Sequence, residues 1–256
     1  ISASFLIIFG LITSIHIDFS IGYNSFNLCD IPDDAYVYLN RVMDTKTIDE
    51  LKSIKDKFLR FKGIIFEDLG VFNIFKDTGI PLIWNQAHFA VNYNSINFHL
   101  KNGCTSAVIS NEITKEEIDE IINNSIKPLI LPIFGKNNIM YSRRTLLTNF
   151  NKHAGLNDYN DMVLNEKITS NKFLARESEY GTYIFNNTYF NYVSLIPKYE
   201  DKVMFFLVLN LDLSVDEIKD VIDGKNYGDF LLDMVESIKE DLSEGEALTP
   251  FRNLML

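Results

Sequence analysis

The chain has 256 residues, of which 46% are hydrophobic, and this is enough to bury the core of one large domain spanning residues 1–256. A formal net charge of −11 argues against a protein that coats nucleic acid through general electrostatic attraction. The two cysteines have no metal-binding spacing and suit a reducing compartment, so we expect a cytoplasmic protein without a membrane partner.

The N-terminal segment 1–19 is apolar, but no basic residue precedes it, and Gly10, His16 and Asp18 interrupt it. These features disfavour a signal peptide or a membrane span. We therefore expect a buried strand in this segment. Because the chain does not begin with methionine, we expect that strand to be incomplete.

An apolar run, a polar residue at its end and a capping box recur three times along the chain. In a capping box, a Ser or Thr side chain accepts a hydrogen bond from a backbone N–H three residues on, and a Glu there bonds back. The runs at 35–39, 106–109 and 204–209 are followed by such boxes at 47–50, 114–117 and 214–217. This pattern predicts strands that are each followed by a helix.

Further apolar runs lie at 63–66, 81–84 and 128–134 and lack the alternation of a half-buried strand. They predict parallel strands that are covered on both faces, and strands that alternate with helices predict a parallel sheet. Roughly seven or eight such strands without a dinucleotide-binding fingerprint favour a closed barrel over an open doubly wound sheet. We predict an α/β fold, a TIM-barrel-like array of βα units.

The stretch 170–195 departs from this rhythm. Residues 183–185 and 188–190 are β-formers, and Asn186 and Asn187 between them tolerate the positive φ of a tight turn. We predict that 170–195 is a β-hairpin inserted into the barrel.

In a parallel barrel, the strand ends and the loops that follow them build the site. This rule selects His88, Glu112 and Asp68 as catalytic candidates, since histidine and paired carboxylates can transfer protons. The candidates for substrate binding are Asn40, Asn85, Gln86, Tyr141, Ser142, Arg143 and Arg144. Further polar residues at predicted strand ends are Glu67, Ser110, Asn111 and Asn210. For each of them, capping of the next helix is the alternative role.

Residues 121–157 contain no acidic residue and carry five positive charges, on Lys127, Lys136, Arg143, Arg144 and Lys152. A positive cleft in an acidic protein attracts a phosphate or a carboxylate, so the segment predicts a small-anion site. Ordinary solvated charge is the alternative. No second histidine stands at metal spacing from His88, and the serine hydrolase, zincin and P-loop signatures are absent, so we expect no metal.

Four segments resemble the collagenase-like peptidase family U32. They are GIIFEDLG at 63–70, WNQAHFAVNYNS at 84–95, SNEITKEEI at 110–118 and FGKNNIMYSRRTLLT at 134–148. The resemblance runs in order from about Asn40 to Asn149. It implies a barrel-like fold and a peptidase.

The last motif of that family, approximately His-Gly-x-x-Cys-x-x-Tyr-Ser-Gly-Arg-Cys, falls on residues 134–145. Gly135, Tyr141, Ser142 and Arg144 match it, whereas Phe134, Asn138, Arg143 and Thr145 replace the histidine, the first cysteine, the glycine and the last cysteine. In relatives these cysteines ligate an iron–sulfur cluster that hydroxylates RNA bases or quinone precursors. Without those thiolates the cluster cannot form at these positions, and we expect no cofactor.

Three functions remain open at this point. The first is a peptidase in which His88 or Glu112 is the base and Arg144 holds a peptide carboxylate or an oxyanion. The second is a cluster-free binding or accessory protein whose partner is a small anion or RNA, and the third is a barrel enzyme acting on a phosphorylated metabolite. The sequence predicts no oligomeric state.

Overall fold

The computed structural model describes residues 5–7, 33, 35–39, 41–86, 88–157, 160–168, 171–178 and 181–209. Three predictions lie outside these ranges, namely those for Asn40, for Asn210 and for the third capping box at 214–217. Within the described ranges no helix combines the length and the apolar character that a bilayer crossing requires.

The strands of the described chain are β1 Phe5–Ile7, β2 Tyr36–Tyr38, β3 Gly63–Phe66, β4 Leu82–Asn85, β5 Ser106–Val108, β6 Ile130–Gly135, β7 Asn138–Ser142, β8 Asp161–Asn165, β9 Lys172–Ser178, β10 Gly181–Asn186, β11 Phe190–Asn191 and β12 Phe205–Leu209. The helices are α1 Thr45–Ile54, α2 Leu69–Phe75, α3 Tyr93–Lys101, α4 Lys115–Asn124, α5 Leu146–Ala154 and α6 Ile196–Tyr199, with 3₁₀ turns at Lys55–Phe58 and Val193–Leu195.

The main sheet has the order β1-β12-β6-β5-β4-β3-β2, and every pair along this path is parallel. The predicted parallel α/β fold and the predicted strand within segment 1–19 are thus confirmed. The sheet is curled: the rings of Tyr36 on β2 and Phe205 on β12, strands far apart in the sheet order, lie 5.4 Å from each other. Among the described strands β1 and β2 are the sheet ends and do not pair, so the expected closed barrel is a curled half-barrel here.

Burial follows the predicted pattern in the sheet. Every residue of β3 and of β6 is buried, as expected for parallel strands covered on both faces. Leu51 of α1 and Phe58 of the 3₁₀ turn that follows it are fully buried and belong to the same hydrophobic cluster as the sheet residues. Each such side chain contributes about 1.5–3 kcal/mol relative to an exposed position.

Two of the predicted helix starts can be compared with the structure. The box at Thr114 and Glu117 is confirmed, since both of its reciprocal hydrogen bonds are present at the start of α4. The box at Thr47 is wrong. Helix α1 begins three residues earlier, because the Asp44 carboxylate accepts the Thr47 N–H at 2.8 Å and takes the capping position.

A second, antiparallel sheet has the order β7-β10-β9-β8. The predicted antiparallel hairpin within 170–195 is present as β9 and β10, but its turn does not lie at Asn186 and Asn187. Strand β10 pairs with β9 in a register that sets Gly181 opposite Ser178, so the connection between these two strands precedes β10. Asn186 and Asn187 instead lead toward β11, which pairs with β6 of the main sheet. A sequence pattern identifies strands but does not choose among their partners.

We expect Gly135→Ala to destabilise the fold by about 3 kcal/mol. Gly135 has φ +145°, and a Cβ there would lie 2.5 Å from the Leu209 Cβ and carbonyl oxygen of the neighbouring strand. Gly155, with φ +65° and open space around it, is the matched control. Gly155→Ala should cost only about 1 kcal/mol, from backbone strain alone.

Urea unfolding of both variants and of the wild type measures this difference. Equal destabilisation by the two substitutions would show that the close approach of β6 and β12 contributes nothing beyond strain. The motif glycine at 135 would then have no packing role.

Candidate functional site at the strand ends

The carboxyl ends of four neighbouring strands bring polar side chains to one edge of the main sheet. Arg41 follows β2, Glu67 follows β3, His88 follows β4 and Glu112 follows β5. Parallel strands end at the same edge, and this is why residues so far apart in the chain can meet.

Glu67 is the buried centre of this edge. Its side chain is only 5% exposed, yet the Tyr38 hydroxyl donates to one carboxylate oxygen and Arg41 Nε donates to the other at 2.8 Å. The Gln86 side-chain amide donates to the backbone carbonyl of Glu67 at 3.3 Å, which ties the ends of β3 and β4 together. Both oxygens of a buried carboxylate are therefore satisfied.

Two effects act on the Glu67 carboxyl in opposite directions. Burial disfavours the charged form and raises its pKa to about 8. The Arg41 guanidinium favours the charged form, but it is itself poorly solvated, and burial lowers the pKa of Arg41. The outcome is a carboxyl group that holds its proton close to neutral pH.

Arg41 connects the main sheet to the second sheet. One guanidinium nitrogen donates to the Asn138 side-chain oxygen, and the guanidinium carbon lies 5.9 Å from the centre of the Tyr141 ring. The positive charge of Arg41 also interacts electrostatically with Tyr183 and Glu112. The Asn138 amide donates to the carbonyl oxygens of two strands of the second sheet, β7 and β10, so its position is fixed from both sides.

His88 and Glu112 form a pair, with His88 Nδ1 at 3.2 Å from Glu112 Oε2. Their side chains are 39% and 31% exposed, respectively, so solvent reaches both. The Ser110 hydroxyl accepts the Glu112 N–H at 3.1 Å, and the Asn111 amide donates to the Asn137 side chain. Two residues selected separately as catalytic candidates are thus adjacent, in a loop held by its own hydrogen bonds.

The third catalytic candidate, Asp68, has other partners. Its carboxylate accepts the backbone N–H of Gly70 at 2.7 Å, which caps α2, and the backbone N–H of Met43 at 2.9 Å. Both carboxylate oxygens of Asp68 therefore hold backbone N–H groups in place. Asn85 is the last residue of β4, is half-buried, and stands beside Gln86 at the same edge.

The predicted anion-binding residues lie on and after β7. Tyr141 and Ser142 are in the strand and half-buried, and the Tyr141 ring packs on Tyr183 at 4.7 Å. Arg143 and Arg144 follow and are exposed. The Ser142 hydroxyl accepts the Arg144 N–H at 3.2 Å, while the Arg144 carbonyl accepts from Thr182 at 2.8 Å, so the bend is well fixed.

The positive charges of segment 121–157 do not share one surface. Arg143 donates to Asp44 at 2.9 Å. The pKa of Asp44 is lowered by hydrogen bonds from the Thr47 backbone and hydroxyl, and then by Arg143. Lys127 precedes β6 and donates to the Cys104 carbonyl at 2.7 Å, whereas Lys136 follows β6 and lies over the Tyr189 ring. The two lysines therefore stand at opposite ends of the same strand.

A carboxylate of the second sheet fixes the helix that follows these arginines. Glu177 on β9 accepts the N–H groups of Leu147 and Thr148 at 2.7 and 2.9 Å and caps α5, whose own N-cap residue makes no side-chain bond. Burial raises the pKa of this carboxyl, but bonds from Thr148, Thr182 and the backbone outweigh burial and lower the pKa overall.

Sequence reasoning missed Arg41, Tyr38 and Asn138 as members of the site. Arg41 was within reach of the strand-end rule, because it stands two residues after a predicted strand. Tyr38 and Asn138 gave no such signal. Tyr38 lies within a predicted strand, and Asn138 stands at a position where the motif has a cysteine, so a hydrogen-bonding role was not expected for it. In the described part of the chain, no three His, Cys, Asp or Glu side chains gather as a metal site would require.

Comparison with known proteins gives a family match over much of the chain. The model described as Peptidase family U32 matches residues 30–203. No curated protein matches the chain.

Among solved structures, a chitinase from Chromobacterium violaceum is similar at 12% identity and a TM-score of 0.32, with 74% of this chain and 78% of that chain covered. A protein described as a sporulation-specific glycosylase from Bacillus subtilis is similar at 9% identity and a TM-score of 0.28, with 66% and 74% covered. Similarity this weak carries no information on activity.

Glu67→Gln is expected to remove a pH dependence of stability. The folded-state pKa of about 8 exceeds the ordinary 4.5, so between these values the native state holds a proton that the unfolded chain has lost. The stability from this group is complete below about pH 4.5 and is lost as the pH rises through about 8. Over this window, the wild type should lose up to about 1.4 kcal/mol per pH unit relative to the variant.

Urea unfolding across this pH window gives both slopes. Glu120→Gln, at an exposed position of α4, is the control and should keep the wild-type slope. Parallel slopes for wild type and Glu67→Gln would contradict a raised pKa at this site.

Proposed function

Because the chain belongs to peptidase family U32, we propose that it hydrolyses peptide bonds and that the His88–Glu112 pair activates the attacking water. The observation that carries the proposal is the 3.2 Å contact between His88 Nδ1 and Glu112 Oε2 at the edge where the parallel strands end. Solvent exposure of both side chains supports access for water and for substrate.

The chemistry follows from the partner of each ring nitrogen. When Glu112 accepts from Nδ1–H, the imidazole keeps Nε2 unprotonated, and Nε2 is then the base. His88 Nε2 takes a proton from water, the resulting hydroxide attacks the peptide carbonyl carbon, and the carbonyl oxygen becomes an oxyanion. As the C–N bond breaks, the imidazolium returns the proton to the leaving amine.

Arg41 is the group suited to stabilise the oxyanion. Its guanidinium is fixed by Glu67 and Asn138, and it interacts electrostatically with Glu112 of the pair. A positive charge that is already oriented needs no reorganisation when negative charge develops on the substrate. With a pKa of about 8, Glu67 leaves much of this charge uncompensated near neutral pH.

We further propose that Arg144 binds an anionic group of the ligand, such as a peptide carboxylate. Two features support this. Arg144 is exposed on a bend that Thr182 and Ser142 hold in place, and a guanidinium forms two-point contacts with a carboxylate. Arg143 is less suited, because Asp44 already occupies its guanidinium.

His88→Ala and Glu112→Gln are each expected to reduce peptide hydrolysis by about 10²–10⁴-fold, the usual contribution of a general base. The assay is turnover of an internally quenched peptide library by purified protein. His153→Ala and Glu116→Gln remove a histidine and a glutamate from exposed positions elsewhere and should leave turnover unchanged.

Thermal unfolding verifies that all four variants are folded. Wild-type protein that turns over no peptide of the library, or His88→Ala protein that turns over peptides at the wild-type rate, would sink the proposal. The first result would favour a binding protein without hydrolytic activity.

A further inference from the structure

A groove with a volume of about 460 Å³ is lined by residues of β4, of α3 and of the segment between them. Its lining residues are Trp84, Phe89, Asn94, Ser95, Phe98 and His99. None of the catalytic steps above uses it. Its size falls in the range of small-ligand sites, which is about 300–1,000 Å³.

Local structure explains why these side chains share one surface. The Asn92 side chain accepts the Ser95 N–H at 2.9 Å and starts α3. Residues three and four apart then lie on one helix face, and this aligns Ser95 with Phe98 and His99. The His99 ring stacks on Trp84 at 3.8 Å with 20° between the planes.

The rings of His99 and Phe98 are nearly perpendicular and form two sides of the groove. The Phe98 ring stands at 89° to the His99 ring at 5.4 Å, while Trp84, only 4% exposed, forms the floor. Phe89 and Phe98 are 65% and 63% exposed. Two phenylalanines that expose so much surface around one concave space leave much apolar area for a ligand to cover.

The groove is uncharged within an acidic chain. Among the residues that the structure describes, no lysine, arginine or carboxylate lines it. Burial lowers the pKa of His99 and so favours the neutral form of that ring. Asn94 and Ser95 supply an amide and a hydroxyl at the rim, groups that bond peptide N–H and C=O. A neutral, flat ligand group with a polar backbone fits this combination.

We propose that the groove is a specificity subsite that binds one large apolar side chain, preferably aromatic, of a peptide ligand. The inference rests on the proposed function, since the peptide is the one that the His88–Glu112 pair would cleave. Phe89 directly follows His88, so the groove begins beside the catalytic pair. An aromatic side chain would gain an edge-to-face or offset-stacked contact in addition to its buried area.

Trp84 supplies the measurement, because it is the single tryptophan of the chain. Its emission is followed in His88→Ala protein, where cleavage does not complicate binding, during titration with acetyl-Gly-Phe-Gly-amide. Acetyl-Gly-Ser-Gly-amide is the comparison peptide. The expected result is a saturable change in emission with the phenylalanine peptide and binding at least about tenfold weaker with the serine peptide.

Phe98→Ala, added to the same protein, should weaken binding of the phenylalanine peptide by about tenfold or more. Phe150→Ala is the matched control, because Phe150 is 50% exposed on α5 and does not line the groove. Equal affinity of the protein for both peptides would overturn the proposal. So would a Phe98→Ala protein that binds the phenylalanine peptide as tightly as the Phe150→Ala protein does. An emission change on simple dilution would also overturn it, since the occupant would then be a second copy of the chain.

The two proposals can fail separately. Selective peptide binding by a wild-type protein that shows no turnover would remove the hydrolase and keep the subsite. Turnover with the same KM for phenylalanine and serine substrates, unchanged in Phe98→Ala, would remove the subsite and keep the hydrolase. If both stand, Phe98→Ala raises KM for phenylalanine substrates about tenfold and leaves kcat near its wild-type value.

Discussion

The buried contact between Glu67 and Arg41 is the constraint on which the site depends. It joins the end of β3 to the segment after β2 at 2.8 Å, and through Asn138 it also holds β7 of the second sheet. Burying polar and charged groups is costly unless hydrogen bonds satisfy them, and removing one partner of this contact would leave the other buried and unsatisfied. The Tyr38 hydroxyl satisfies the other carboxylate oxygen. The contact therefore fixes geometry at an energetic cost, as is common where position matters for chemistry.

The second sheet follows from this constraint. Because Asn138 bonds both Arg41 and the β10 backbone, β7 is anchored over the carboxyl edge of the main sheet. Tyr141 is thereby brought near Arg41, and the bend after Ser142 carries Arg143 and Arg144. Asn138 stands at a position where the family motif has a cysteine, and here an amide with defined bonds takes that place.

Burial separates the titratable groups at this edge into two kinds. Glu67 is enclosed, and its raised pKa makes it a proton-holding group, whereas His88 and Glu112 are open to solvent. A site with one enclosed and one exposed set of groups can keep an oriented positive charge beside a base that exchanges protons with water. The groove beginning at Phe89 adds an apolar surface next to the exposed pair. Together these features support the proposal of a peptide ligand.

The sequence by itself determined the parallel α/β fold, most of the strand positions and the edge where polar residues collect, because burial and period are local properties of the chain. It also identified His88 and Glu112 separately. Only the tertiary structure decided that these two meet at 3.2 Å and that Asp68 turns to backbone N–H groups instead. Strand pairing was equally undetermined: Tyr183 faces Tyr141 and Arg176 on its neighbours, and no local signal distinguishes these partners from a hairpin at Asn186 and Asn187. Partners distant in sequence are selected by packing and by the satisfaction of buried polar groups, which act only once the chain has folded.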